Sequence, residues 1–83
     1  MSELKLIIRT ADQTRKAEIS ISQSNKCAEI LEAAINNWSL PVDTDYTIVN
    51  ATTGKALAPN TSLEKSGVSD GNVLEIQPVL VAG

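Results

Sequence analysis

The chain has 83 residues, with 7 basic and 10 acidic side chains, no histidine and a formal net charge of −3 at pH 7. A chain of this length forms one domain with a modest core. Its charge argues against a nucleic-acid partner, because no cationic stripe is available to replace phosphate counterions. No apolar run approaches the roughly 18 residues of a membrane span, and the N-terminus lacks the apolar segment of a signal peptide. We therefore expect a cytoplasmic protein that does not bind membranes.

Two alternating segments open the chain and predict an antiparallel hairpin. Apolar and polar residues alternate with the period of two that a strand with one buried face requires. A short polar link, residues 11–15, separates the two segments. The residues predicted to point into the core are Leu4, Leu6 and Ile8 in the first strand and Ala17, Ile19 and Ile21 in the second.

The segment from Ser24 to Leu40 predicts the single long helix of the chain. Its apolar residues recur at spacings of three and four, which places them on one helical face. They are Cys27, Ile30, Leu31, Ala34, Ile35 and Trp38. We expect the small polar residues at 23–25 to cap the helix and Pro41 to stop it. Trp38 should be largely buried against the sheet.

Three more strands are predicted after the helix. They lie at Tyr46–Val49, Ala56–Leu57 and Val73–Gln77, the last with Leu74 and Ile76 pointing inward. Because Pro78 has no backbone N–H to donate, we expect it to end the sheet. The predicted organisation is one domain over residues 1–78, followed by a flexible tail over residues 79–83.

The order of these elements resembles that of the ubiquitin-like proteins over nearly the whole chain. The exit from the helix at Ser39-Leu40-Pro41 is similar to the family's glycine-isoleucine-proline step. The run from Leu63 to Ile76, with Gly67-Val68 and Asp70-Gly71 inside it, resembles the close of bacterial YukD-type members. The resemblance implies an α+β fold of the ubiquitin-like β-grasp type, ββαββ, with one helix packed across a mixed sheet of four to five strands.

The residue inventory argues against an enzyme. The chain has no histidine, and its one cysteine, Cys27, lies on the apolar face of the predicted helix. Thr53-Gly54-Lys55 lacks the preceding glycine frame of a phosphate-binding loop. Asp43 and Asp45 are interpreted as solvated turn residues rather than metal ligands. We therefore expect a protein that other proteins bind or act on, with no cofactor and no metal.

The tail carries the first candidate site. Aligned with ubiquitin from Leu63 onward without gaps, Leu80 falls on the tail leucine of that family and Gly83 on its terminal glycine. The resemblance implies that Leu80, Val81, Ala82 and Gly83 form a conjugation tail whose carboxylate an adenylating enzyme activates. The implied partners are that activating enzyme, conjugating or deconjugating enzymes, and target proteins. Ala82 replaces the first of the two family glycines, and valines replace the ubiquitin arginines at positions 79 and 81.

The outward face of the sheet carries the second candidate site. By the same resemblance, Ile48 falls at the central isoleucine of the apolar patch through which ubiquitin binds partners. Ile7 is expected to point outward on the first strand, and Glu75 and Gln77 on the last. Gln77 replaces an aliphatic residue of that patch. A partner surface around Ile7 and Ile48 is therefore expected to suit a dedicated partner rather than readers of ubiquitin.

Three functions remain open from the sequence. The first is a ubiquitin-like protein modifier activated at Gly83. The second is a YukD-type accessory subunit of a secretion system (type VII) or another multicomponent complex, which acts by binding alone. The third is a sulphur carrier, against which Ala82 counts because that group normally ends in two glycines. In each case we expect the chain by itself to be a monomer.

Overall fold

The computed structural model of the chain describes residues 3–41 and 44–79. Within these residues, five strands and one helix follow one another in the order β, β, α, β, β, β. They are β1 (Glu3–Thr10), β2 (Lys16–Ser22), α1 (Cys27–Trp38), β3 (Asp45–Asn50), β4 (Lys55–Leu57) and β5 (Val73–Val79).

The five strands form one mixed sheet in the order β2-β1-β5-β3-β4. The last strand of the chain therefore lies at the centre of the sheet. It pairs in parallel with β1 and antiparallel with β3, and the two outer pairs, β1 with β2 and β3 with β4, are antiparallel. This arrangement confirms the predicted β-grasp fold, with five strands.

The core lies between the sheet and the helix. Alternate residues of β1, β3 and β5 point toward α1, as the period of two requires. The buried apolar residues are Leu4, Leu6, Ile8, Cys27, Ile30, Ala34, Ile48, Leu57, Leu63, Val68, Leu74 and Ile76. The burial of Cys27 confirms that its thiol packs inside the domain, 3.5 Å from the Ser66 hydroxyl.

The start of the helix differs from the prediction. The N-cap residue is Lys26, and none of residues 23–25 caps the free helix amides. Instead, the Cys27 N–H donates to the Thr61 carbonyl and the Ala28 N–H to the Pro59 carbonyl, both at 3.0 Å. The loop before β5 therefore satisfies donors that a local side chain usually satisfies. Local sequence could not reveal this, because the acceptors lie more than thirty residues away.

Glu29 reinforces this helix end. Its carboxylate accepts hydrogen bonds from the Lys26 N–H at 2.7 Å and from the Asn25 amide at 2.9 Å. The Lys26 N–H contributes most to holding the pKa of Glu29 below its ordinary value of 4.5. A carboxylate in the first turn also interacts favourably with the helix dipole.

The other end of the helix follows the prediction. The helix ends at Trp38, and Ser39 adopts the left-handed conformation that closes many helices, with φ of 51°. The Leu40 N–H donates to the Ile35 carbonyl at 3.1 Å. The Trp38 ring packs against the core, in agreement with the expectation that it is largely buried, and stays partly exposed because it lies at the flank of the helix beside β2.

The turn between β1 and β2 is organised by Asp12. Its Oδ1 accepts from the Thr10 hydroxyl at 2.6 Å, the Thr14 hydroxyl at 2.8 Å and the Thr14 N–H at 3.1 Å. These hydrogen bonds, that from the Thr10 hydroxyl first, lower the pKa of Asp12 to about 2. They stabilise the ionised carboxylate, as expected for a side chain that closes an Asx turn.

The Asp12 turn predicts a pH dependence of stability. The pKa of Asp12 in the folded chain lies below its ordinary value of 3.8, so the ionised group stabilises the fold above that value. This contribution is lost as the pH falls toward about 2. We expect the thermal midpoint of the parent chain to fall more steeply across this interval than that of Asp12→Asn, measured by circular dichroism. If the thermal midpoints of the two proteins change in parallel with pH, the stability of the turn does not depend on the charge of Asp12.

Candidate protein-binding surface

The face of the sheet opposite α1, hereafter the outer face, is the second candidate site of the sequence analysis. Cross-strand partners place its side chains in rows. Ile7 of β1 lies opposite Val73 of β5. Glu75 of β5 lies opposite Arg9 on one side and Val49 on the other. The outer face thus joins residues from both ends of the chain and from its middle.

The structure contradicts the predicted position of Ile48. Its side chain is only 1% exposed and belongs to the core. The residue of β3 that points outward is the next one, Val49, which is half-buried. The prediction was wrong by one residue because the segment from Tyr46 to Val49 carries apolar side chains in both phases, and a shift of one residue exchanges the two faces of a strand.

Three half-buried aliphatic side chains form the apolar part of the outer face: Ile7, Val49 and Val73. Ile7 was predicted to point outward, and its place in the structure agrees with this. Val49 and Val73 were missed. Part of the information needed to place them was in the sequence: Leu74 and Ile76 point inward, so Val73 points outward. The pairing of β5 with β3 then places Val49 on the same side as Val73.

A polar group crosses the same face beside these residues. The Arg9 Nε and Nη2 atoms both lie 2.9 Å from Glu75 Oε2, and the Gln77 amide donates to Glu75 Oε1 at 2.8 Å. The hydrogen bond from Gln77, followed by that from Arg9, keeps the pKa of Glu75 below its ordinary value of 4.5. Glu75 and Gln77 therefore occupy the outer face as predicted, and Arg9 is a third member that the sequence did not reveal.

A buried polar network holds the strand ends under this surface. Asn50 is 1% exposed, and its amide donates to Asn72 Oδ1 at 2.9 Å. Its own Oδ1 accepts from the Thr52 N–H at 3.0 Å. Asn72 Oδ1 also accepts from the Ser69 N–H at 2.9 Å. A buried amide with its donors and acceptors satisfied fixes a unique local structure. The network thus ties the β3–β4 turn to the loop before β5.

The first candidate site of the sequence analysis, the conjugation tail, lies outside the described residues. Leu80, Val81, Ala82 and Gly83 are therefore not placed. The last described residue is Val79, which pairs with Asp45, so β5 continues one residue beyond Pro78. The prediction that Pro78 ends the sheet is wrong. Its missing N–H would point toward the side where β1 has already ended, so the proline costs no ladder hydrogen bond there.

The described part of the chain shows neither a cluster of potential metal ligands nor a membrane-spanning helix. Within residues 3–41 and 44–79, no group of three or more His, Cys, Asp or Glu side chains is close enough to hold a metal ion. No helix of this part of the chain is long and apolar enough to cross a membrane. The outer face presents apolar side chains beside the Arg9–Glu75 ion pair, which can form contacts with another molecule.

Comparison with known proteins gives the fold a name. The chain superposes on a Caldiarchaeum subterraneum ubiquitin with a TM-score of 0.79 and 23% identity, covering 99% of this chain and 100% of that one. The fold is ubiquitin-like. A design based on ubiquitin gives a TM-score of 0.76 and 22% identity, with 98% of this chain and 95% of the design covered. Neither protein-family models nor curated protein sequences gave a match.

At these identities the likeness establishes the fold, while the function depends on the side chains that the fold displays. In this chain the ubiquitin-like sheet displays Ile7, Val49 and Val73 beside the Arg9–Glu75 pair.

The phase of β3 can be tested by a matched pair of substitutions. Ile48→Ala removes a fully buried side chain and should lower the free energy of unfolding by about 2–5 kcal/mol. Val49→Ala removes a half-buried side chain from the outer face and should cost less than about 1 kcal/mol. Urea unfolding of both variants measures the difference. A larger loss for Val49→Ala than for Ile48→Ala would place β3 in the opposite phase.

Proposed function

We propose that this chain is a ubiquitin-like protein modifier that acts in the cytoplasm and is joined to target proteins through Gly83. The observation that carries the proposal is the ubiquitin-like sheet with its central last strand. The strand β5 runs to Val79, which pairs with Asp45, and residues 80–83 follow it in the sequence. In this proposal they are the segment that an activating enzyme binds.

The proposed activation takes place at the terminal carboxylate of Gly83. An adenylating enzyme would join the Gly83 carboxylate to the adenylyl group of ATP, with release of pyrophosphate. A thiol of the enzyme would then displace AMP and form a thioester. Glycine suits this position because, without a Cβ, it can enter a narrow channel. Val79 and Val81 make the tail apolar where ubiquitin is basic, so the proposed activating enzyme is one dedicated to this chain.

The outer face supplies the second part of the proposal, recognition. Its aliphatic side chains are half-buried and lie beside polar residues, which is the composition of an interface centre with a polar rim. Gln77 replaces an aliphatic residue of the apolar patch of ubiquitin, and the Glu75 carboxylate is already engaged by Arg9 and Gln77. A partner would therefore contact Ile7, Val49 and Val73 and leave this polar group at the edge of the contact.

Deletion of Gly83 tests the tail. Cells that express the chain with an N-terminal epitope tag should accumulate covalent adducts that survive denaturing electrophoresis. The deletion should abolish them, while the free energy of unfolding stays within about 0.5 kcal/mol, because Gly83 belongs to none of the five strands or the helix. Gly83→Ala is the matched control and should give intermediate adduct levels. Unchanged adducts after deletion would contradict the proposal.

The polar character of the outer face also favours a second candidate, a YukD-type accessory subunit that acts by binding alone. A pair of variants separates the two functions. For the accessory subunit, Val49→Asp should abolish cellular function and deletion of Gly83 should leave it intact. For the modifier, each change should abolish function. A sulphur carrier would instead require Gly83 but form no protein adducts.

A further inference from the structure

The strand β2 forms the long open edge of the sheet. It has seven residues, whereas β4 at the opposite edge has three. The Thr10 N–H donates to the Arg15 carbonyl at 3.0 Å, so the hydrogen-bonded pairs between β1 and β2 continue from there at every second residue. Ala17, Ile19 and Ile21 therefore bond to β1. The backbone groups of Glu18 and Ser20 point away from it, toward the open side.

An apolar groove lies along the same edge, between β2 and the flank of α1. Its volume is about 200 Å³. The side chains of Ile19 and Ile21 point into it from the sheet and are only half-buried, in contrast to the inward residues of β1. Ala33 and Trp38 line it from the helix. An open strand beside an incompletely covered apolar face can accept a further strand.

We propose that this edge pairs with the same edge of a second copy of the chain. The two β2 strands would run antiparallel about a two-fold axis at Ile19, giving a continuous ten-stranded sheet with both helices on one face. A symmetric pairing requires a self-complementary surface. This inference does not depend on the proposed function, since it concerns the opposite flank of the domain from β3 and β4.

The register follows from β2 itself. With Ile19 opposite Ile19 of the second copy, all seven residues pair and the backbone groups of Glu18 meet those of Ser20. On the inward side, Ala17 then lies opposite Ile21, so each inward pair is apolar. The two neighbouring registers are less favourable. A shift of two residues in one direction places the like charges of Glu18 and Glu18 of the second copy opposite each other, and the opposite shift places the apolar Ala17 opposite the polar Gln23.

This pairing also accounts for the groove. The inward side chains of the second β2 extend the apolar sheet under the exposed flank of α1, beside Ala33 and Trp38. The Ser22 carbonyl already accepts from the Asn25 N–H at 3.0 Å, so the pairing is centred on Glu18 and Ser20. One pair of short strands buries little area, and the dimer is therefore expected to be weak.

Sedimentation velocity of the full chain gives the first test. Between about 10 µM and about 1 mM, the weight-average sedimentation coefficient should rise from that of a monomer toward that of a dimer. A constant monomer value over this range would overturn the proposal. The occupant of the groove would then have to be a different protein.

Disulfide trapping tests the register. In the proposed pairing Ile19 faces its copy as a non-hydrogen-bonded pair, with Cα atoms about 4.5 Å apart, within reach of a disulfide. Ile19→Cys with oxidised glutathione should therefore give a covalent dimer, as two thiols are oxidised and glutathione is reduced. The parent chain is the control, because its one cysteine, Cys27, is fully buried and should not cross-link.

A second pair of cysteines makes the test specific. Ile21→Cys alone should give little covalent dimer, whereas a mixture of Ile21→Cys with Ala17→Cys should cross-link. Equal cross-linking of Ile21→Cys and Ile19→Cys would overturn the register. Absence of cross-linking in Ile19→Cys above the level of the parent chain would overturn the pairing.

A backbone variant checks the role of the open edge. Ser20→Pro removes an N–H that points away from β1, so the sheet can form but the edge loses a donor at the centre of the pairing. It should remain monomeric at the concentrations where Ser20→Ala associates like the parent chain. Association of a folded Ser20→Pro would contradict the proposal, and the cysteine variants decide the matter if the proline variant does not fold.

Discussion

The pairing of the first strand with the last is the constraint on which the rest of this structure depends. The Ile7 N–H donates to the Asn72 carbonyl at 3.1 Å, the Gly71 N–H to the Lys5 carbonyl at 2.7 Å, and the Ala11 N–H to the Ile76 carbonyl at 2.9 Å. On its other side, β5 pairs with β3. Without β5, the chain consists of two separate hairpins and an uncovered helix. β5 joins the two hairpins into one sheet and contributes Leu74 and Ile76 to the core.

The same constraint creates the outer face. Ile7 and Arg9 come from the start of the chain, Val49 from its middle, and Val73 and Glu75 from β5. They become neighbours only because β5 lies between β1 and β3. The Asn50–Asn72 network supports this arrangement from inside, since it fixes the segment from which β5 enters the sheet. A partner that recognises this face therefore recognises the closed sheet and not any one segment.

The sequence predicted correctly those elements whose hydrophobic pattern allows only one assignment of buried and exposed faces. The alternation in β1 and β2 and the apolar face of α1 each allow a single phase, and the structure agrees. Ile48 was predicted to point outward in place of Val49 because both faces of β3 carry apolar residues. Only the pairing of β3 with β5 selects between the two phases. The helix start was missed because its hydrogen-bond acceptors, Pro59 and Thr61, are remote in sequence.

Amide hydrogen exchange followed by NMR tests the central position of β5 most directly. The amide protons of Ile7, Ala11 and Ala51 donate to carbonyls of β5 or of the residue before it. The account predicts that they exchange among the slowest in the chain, through global unfolding, with opening free energies of roughly 4–12 kcal/mol. Exchange of these three as fast as the β4 edge, while the amides of α1 stay protected, would show that the last strand does not hold the sheet together.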